Sequence, residues 1–338
     1  MTSFSSIATF EAALADLGEA NADAAADARV RQSELTKPAG SLGRLEELAV
    51  FFAGWHGNAR PRIDRARAAI FAGNHGVTVH GVSAFPPSVT AQMVANFANG
   101  GAAINALSDA AGLELTVVAL DLNRPTADFT IAPAMDEAEC LDALNRGAAV
   151  VEAELDLLVL GEMGIGNSTA AAALCARSFA GSVAGWVGPG TGVDGHGVAR
   201  KVEVIDRALA CHATAPRSAF ETLRRVGGRE IAAIAGAVLR ARQLGVPVLL
   251  DGFICSSALA PLAAENPAIT AHCIAGHCSA EPGHKRLLSL LDLEPLLMLD
   301  MRLGEGSGAA VAANIIRSAL AAHDRMATFA EAQVSASL

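Results

Sequence analysis

Six short, largely apolar runs, each of strand length, alternate along this chain with alanine-rich segments of helical length. They are AAIFAG (68–73), ELTVVAL (114–120), LDLLVL (155–160), VPVLL (246–250), AHCIAG (271–276) and PLLMLDM (295–301). A strand with one wet face alternates apolar and polar residues, and these do not. Strands buried on both faces and separated by helices belong to a parallel sheet with helices packed on each side. Helical segments are expected over 88–111, 137–153, 168–180, 198–212, 229–244, 253–264, 282–291 and 308–322. Residues 1–60 also read as helical, interrupted by TKPAG (36–40). The pattern predicts an α/β fold.

Bulk chemistry removes several function classes. With 52% hydrophobic and 18% charged residues in 338, the chain is long enough for a large core and too apolar to be disordered. Aromatic residues are 4%, with no Tyr, and the net charge is −10. Neither a base-stacking platform nor a basic phosphate-backbone footprint is available, so nucleic acid is not an expected partner. The stretch from Ala68 to Ser108 has no charged residue, but Gly73, Asn74, His75, Pro86 and Pro87 break it too often for a membrane span. The first twenty residues carry Glu11, Asp16 and Glu19 and no basic start, unlike a signal peptide. Cysteines 140, 175, 211, 255, 273 and 278 sit scattered in apolar sequence and read as reduced core residues of a cytoplasmic protein.

Polar residues stand where the apolar runs end: Asn74 and His75, Asp121, Glu162, Asp251, His277 and Ser279, and Glu305. In open α/β sheets ligands bind beyond the carboxyl ends of the strands, so several of these side chains can share one crevice. Two are set in matching junctions, LGEMGIGNSTAAAAL (160–174) and LGEGSGAAVAANII (303–316). An acid at a helix N-terminus is worth roughly 0.3–1 kcal/mol through the macrodipole, so Glu162 and Glu305 can be simple caps. The glycines around them suit a second reading, in which backbone N–H groups bind an anion and the acid accepts a proton beside it.

A third segment, GWVGPGTGVDGHGVARKVEVIDRAL (185–209), packs five glycines into the ten residues from Gly188 to Gly197, before a helix with Lys201 in its first turns. Such a loop can cradle phosphate. It contains a formal G-x-G-x-x-G from Gly190 to Gly195 but lacks the acid expected about twenty residues later. HCIAGHCSAEPGH (272–284) has imidazole and thiol ligands for zinc. If 271–276 is a strand, His272 and Cys273 point to opposite faces, so no metal site is expected. Ser279 is the better ligand contact there. His75, His80, Gln92 and Met93 read individually as structural residues. No G-x-S-x-G, H-E-x-x-H or C-x-x-C motif is present.

Taken in order, TKPAGSLGRLEELA (36–49), AGNHGVTVHGVSAFPPSVTAQMV (72–94), LGEMGIGNSTAAAAL, GPGTGVDG, LLDGFICSSALA (249–260), GHCSAEPGH (276–284) and RLGEGSGAA (302–310) resemble the nicotinate-nucleotide–dimethylbenzimidazole phosphoribosyltransferase family. The resemblance implies a Rossmann-like parallel sheet covered by helices (66–304) with a small helical domain drawn from both chain ends (1–65 and 305–338). It implies phosphoribosyl transfer from nicotinate mononucleotide to 5,6-dimethylbenzimidazole or a related base. The products would be α-ribazole 5′-phosphate and nicotinate, used in assembling the lower ligand of cobalamin. Glu305 matches the family's general base. Glu162, Gly164, Gly166 and Asn167 match its nucleotide-binding turn, and Gly188, Gly190, Thr191 and Lys201 its phosphate region. Asp251 and Ser279 match further positions on the nucleotide side. The walls of the base pocket would come from the Phe85–Gln92 stretch, Met163 and Leu303. Family members are homodimers, so a second copy is an expected partner. The donor's pyridinium already leaves well, so neither metal nor cofactor is expected. Two other readings predict different behaviour: a nicotinamide-dependent oxidoreductase using GTGVDG, and a non-catalytic nucleotide carrier.

Overall fold

The computed structural model describes residues 4–190 and 192–335. Among these, all six apolar runs contain strands: β1 (Ala66–Ala72), β2 (Glu114–Ala119), β3 (Leu157–Met163), β4 (Val248–Leu250), β5 (Cys273–His277) and β6 (Pro295–Leu297). They form one sheet in the order β2-β1-β3-β4-β5-β6, with every neighbouring pair parallel. The order reverses once, between β1 and β3, and the loops leaving those two strands diverge to opposite sides of the sheet. That divergence opens a crevice.

Burial explains the unbroken apolar runs. Ala69, Phe71, Leu158, Leu160, Val248, Leu250 and Cys273 face one core, shared with Leu144, Leu174, Phe220 and Ile231. Ala68, Ile70, Leu157, Val159, Leu249 and Ile274 face the other, shared with Leu48, Phe52, Ile104, Ala310 and Ile316. Alternate residues of the inner strands β1, β3, β4 and β5 thus enter different cores, and both must be apolar, whereas the edge strands β2 and β6 are only partly buried. A buried Phe71 or Ile70 contributes roughly 1.5–3 kcal/mol.

The expected helices also form, with two differences. The 88–111 segment is two helices, Ser88–Ala98 and Ala103–Ala111, parted at Gly100, whose φ is +75°. The 253–264 segment is likewise split, into Phe253–Ser257 and Ala260–Glu265. His272 belongs to a 3-10 turn, Pro267–His272, rather than to β5. Its Nε2–H donates to Val238 O at 3.0 Å. No described helix is long and apolar enough to cross a membrane.

Helix Ser307–Arg325 lies against the sheet because two glycines meet. A Cβ on Gly161 would come 2.4 Å from Gly306 N. The similar junctions therefore touch: Glu305 N–H donates to Glu162 O at 3.2 Å.

Candidate active site

The crevice holds a cavity of about 90 Å³ at the carboxyl edge of the sheet. Four regions wall it: Val82 and Ser83 after β1, Glu162 to Ser168 at the end of β3, Gly252 to Ile254 after β4, and His277 at the end of β5 with Ser279 and Glu281 beyond it. Gly190 and Arg302 to Gly304 complete it.

Neither acid caps its helix. Glu162 lies inside β3, not after it, and its carboxylate accepts a hydrogen bond from the Asn167 amide. Helix Asn167–Ser178 starts at Gly166 with no side-chain cap. At the second junction the N-terminal amides of Ser307–Arg325 are taken by Asp251, which reaches across from the end of β4. Its oxygens accept from Gly306 N at 3.2 Å and Ala309 N at 3.0 Å. Glu305 is left with a φ of +62°, uncommon for a residue with a side chain, and 5% exposure.

Crowded, dry carboxylates hold their protons. Burial, then Glu230, Asp251 and Glu305, push the Glu162 carboxyl up to about 8, against the Asn167 hydrogen bond. Burial, aided by Asp251, also raises Glu305 above the usual carboxylate range. Desolvation thus outweighs whatever lowering the helix terminus provides. Beneath them, His75 Nε2 and Glu230 Oε1 are 2.5 Å apart with no solvent exposure. That pair lies under the turn carrying Gly164 and Gly166. Asn74 is also committed within the fold: its Oδ1 accepts from Thr90 Oγ1 at 2.7 Å and its Nδ2 donates to Leu122 O at 2.9 Å.

Opposite stands the glycine loop. Lys201 is 2% exposed, and its Nζ donates to Ser168 Oγ at 3.0 Å and to Gly188 O at 3.1 Å. It supports the loop from behind rather than facing the cavity. Burial lowers its pKa, with Glu281 opposing. Gly190 N–H donates to Glu281 Oε1 at 2.9 Å, so a carboxylate sits on the amide best placed for an anion. A Cβ on Gly190 would lie 2.8 Å from Ser168 Oγ and 2.9 Å from Lys201 Nζ. Thr191 lies outside the described residues.

Of the sequence-derived candidates, Glu162, Met163, Gly164, Gly166, Asn167, Gly190, Ser279 and Leu303 line the cavity. Gly188, Lys201, Asp251 and Glu305 stand behind that lining. Phe85 is 50% exposed and Gln92 is also exposed, and neither is in the wall; Val82 and Ser83 take that side. His277, noted in the sequence only for its place at the end of an apolar run, is in the wall. Ser168, Phe253, Glu281 and Arg302 are wall residues that the sequence did not single out. Arg302 supplies the one Lys or Arg among the wall residues described. The G-x-G-x-x-G at 190–195 follows a loop after the turn Val183–Gly185, not a strand, and Asp194 caps the next helix by accepting from Gly197 N at 2.9 Å. A dinucleotide fingerprint requires a strand directly before the glycines, so the oxidoreductase reading loses its structural basis.

A larger hollow, about 1000 Å³, lies at the opposite edge of the sheet, between helices Ala22–Glu34 and Arg44–His56 and the starts of β5 and β6. Its Lys37 is paired with Glu46 at 2.8 Å. It has no counterpart to the acid-and-glycine junctions.

Sheet order, glycine turns and paired buried acids define a nucleotide-handling α/β protein with acid–base capacity. A phosphoribosyltransferase family model matches residues 17–334. The nicotinate-nucleotide–dimethylbenzimidazole phosphoribosyltransferase of Novosphingobium aromaticivorans is 71% identical over 335 residues, 99% of each chain. Its counterpart in Mesorhizobium japonicum is 55% identical over 332 residues, covering 98% of this chain and 99% of the relative. The crystal structure of CobT from Thermus thermophilus superposes with a TM-score of 0.87 at 39% identity, over 93% of this chain and 100% of that one. The chain belongs to the nicotinate-nucleotide–dimethylbenzimidazole phosphoribosyltransferase family.

Proposed function

We propose that the cavity transfers the phosphoribosyl group of nicotinate mononucleotide to 5,6-dimethylbenzimidazole or a related base, releasing nicotinate and forming α-ribazole 5′-phosphate for the cobalamin lower ligand. The observation that carries this is the pair of adjoining buried acids, Glu162 and Glu305, neither used as a helix cap and both poised to hold or take a proton. The donor's pyridinium is a good leaving group, whereas the neutral base is a weak nucleophile until it loses its N–H proton. One general base is the main chemical requirement, worth roughly 10²–10⁴ in rate. Glu305 takes that proton as the other ring nitrogen attacks C1′ and nicotinate departs, inverting the anomeric carbon. Glu162, Gly164, Gly166 and Asn167 seat the nucleotide. Gly188, Gly190, Thr191 and Lys201 form the phosphate side, and Asp251 fixes the helix that follows Glu305. Met163 and Leu303 bound the base, and the Phe85–Gln92 stretch, outside the wall of one chain, joins them when a second chain covers the mouth.

The test is to incubate the protein with nicotinate mononucleotide and a panel of bases and follow products by mass spectrometry. Free nicotinate with a new ribotide is the expected result. Tight donor binding with no consumption by any base would instead identify a carrier. We also propose that the working form is a cytoplasmic homodimer. Support comes from all six cysteines being free thiols and from apolar side chains exposed on segments leaving the carboxyl edge of the sheet, Leu303 of the cavity wall among them. Finally, we propose that 1–65 and 305–338 join as one small helical unit packed on 66–304, sharing a core with its sheet through Phe52 and Ile316. Arg31 donates to the carbonyls of His323, Asp324 and Met326, and Leu35 bridges Thr328.

A further inference from the structure

The Ser279 side of the cavity is backed by a buried histidine whose protonation the geometry fixes. The backbone N–H of Ser279 donates to His284 Nδ1 at 2.9 Å, so that nitrogen carries no proton. The ring proton is therefore on Nε2, which lies 3.2 Å from Ser256 Oγ and donates to it. His284 has no solvent exposure, and Ser256, on the helix after β4, has none either. Burial, with His277 packed 6.2 Å away ring to ring, lowers the His284 pKa to about 3 despite Asp251, so the neutral tautomer persists. The Ser279 hydroxyl is 3.0 Å from the same unprotonated Nδ1. Sharing that one lone pair with the Ser279 N–H, the hydroxyl turns its proton toward the imidazole and leaves its own lone pairs for the cavity.

We propose that His284 is a positioning residue that makes Ser279 a hydrogen-bond acceptor for a ribose hydroxyl of the donor nucleotide, with Ser256 locking the histidine tautomer. The substrates' chemistry selects the ribose. In nicotinate mononucleotide the carboxylate and phosphate only accept hydrogen bonds. The N–H of the base is assigned to Glu305. The sugar hydroxyls are the donors that remain. This inference rests on reading the cavity as the phosphoribosyl-transfer site.

The experiment is a double-mutant cycle in the full-length protein, measuring kcat and both KM values for wild type, Ser279→Ala, His284→Phe and the double variant. Loss of one hydrogen bond corresponds to about a tenfold rise in donor KM. Each single variant is expected to show that rise, with base KM and kcat within about twofold of wild type. The double variant is expected to be no worse than either single one. His284→Asn, whose carbonyl can accept where Nδ1 does, is expected to restore donor KM, and covers the case in which His284→Phe fails to fold. Effects that multiply, a base KM that rises equally, or no rescue by His284→Asn would overturn the assignment while leaving the transferase reading intact. Absence of nicotinate release by wild type with any base would overturn both together.

Discussion

Glu162 and Glu305 share a local sequence and nearly the same burial, yet only Glu305 sits in left-handed backbone. That conformation costs on the order of 1–3 kcal/mol for a residue with a side chain and persists where the surroundings impose it. Replacing the carboxylate by its isosteric amide keeps the backbone and removes the base. Glu305→Gln is therefore expected to lower kcat at least about a hundredfold. Donor affinity, by calorimetry, and the melting midpoint should stay near wild type. Because Glu305 must be ionised to act and its pKa is raised, the acid limb of the kcat profile should lie above the ordinary glutamate value of 4.5. Glu162 gives a separate readout in stability. Its pKa is 4.5 unfolded and about 8 folded, so between those values the folded state binds the extra proton and stability falls as pH rises. Below 4.5 the penalty is absent, and above about 8 it is complete. Glu162→Gln should flatten denaturant-derived stability across that window. The acids were visible in the sequence as glycine-flanked carboxylates. What they do not cap was not visible, because Asp251 lies 55 residues from Gly306 and no periodicity relates them.

The strands and helices were legible because both faces of the sheet are covered, so the four inner strands report burial along nearly their whole length. Their ends were less so. Glu162 continues β3 by pairing with Phe71, although a charged side chain reads as the end of an apolar run. His284, Ser279 and Ser256 meet across a strand, a turn and two helices, a convergence that sequence spacing does not encode. The contact between elements that most constrains the site is Gly161 on Gly306. In Gly161→Ala the new methyl would stand 2.4 Å from Gly306 N and 2.7 Å from Ile70 Cδ1, so backbone must move. Overpacking of this kind costs about 1–3 kcal/mol. The melting midpoint should drop and kcat fall with it, as Glu305 leaves its position. A variant with lowered stability but unchanged kcat would separate the helix from the chemistry. Lys201→Ala, by contrast, releases Ser168 and the Gly188 carbonyl. It should raise donor KM about tenfold and base KM far less, the loss being confined to the phosphate side.

At the scale of the molecule, the cavity and its surface do not match in size. A cavity of about 90 Å³ is small beside the roughly 300–1,000 Å³ typical of ligand sites, and two substrates must meet there. Much of the wall lies outside the strands, at Val82–Ser83, Gly190, Gly252–Ile254 and Arg302–Gly304. Large apolar side chains project from the same edge: Val79, Phe85, Ile131, Met298, Leu299 and Leu303 are each at least half exposed, all on segments leaving β1, β2 or β6. Such groups, spread along the carboxyl edge from β2 to β6, suit an interaction surface. A second chain covering it would bury these groups and build the outer wall that a single chain lacks, bringing Phe85 and the neighbouring helix face into use. Sedimentation should therefore find a dimer. A charge placed in the rim, Leu299→Asp, should shift it toward monomer and raise base KM at least about tenfold, since losing an interface hot spot costs about 2 kcal/mol or more. A monomeric Leu299→Asp protein with wild-type KM for both substrates would show that one chain completes the pocket alone, and the exposed rim would then need another occupant.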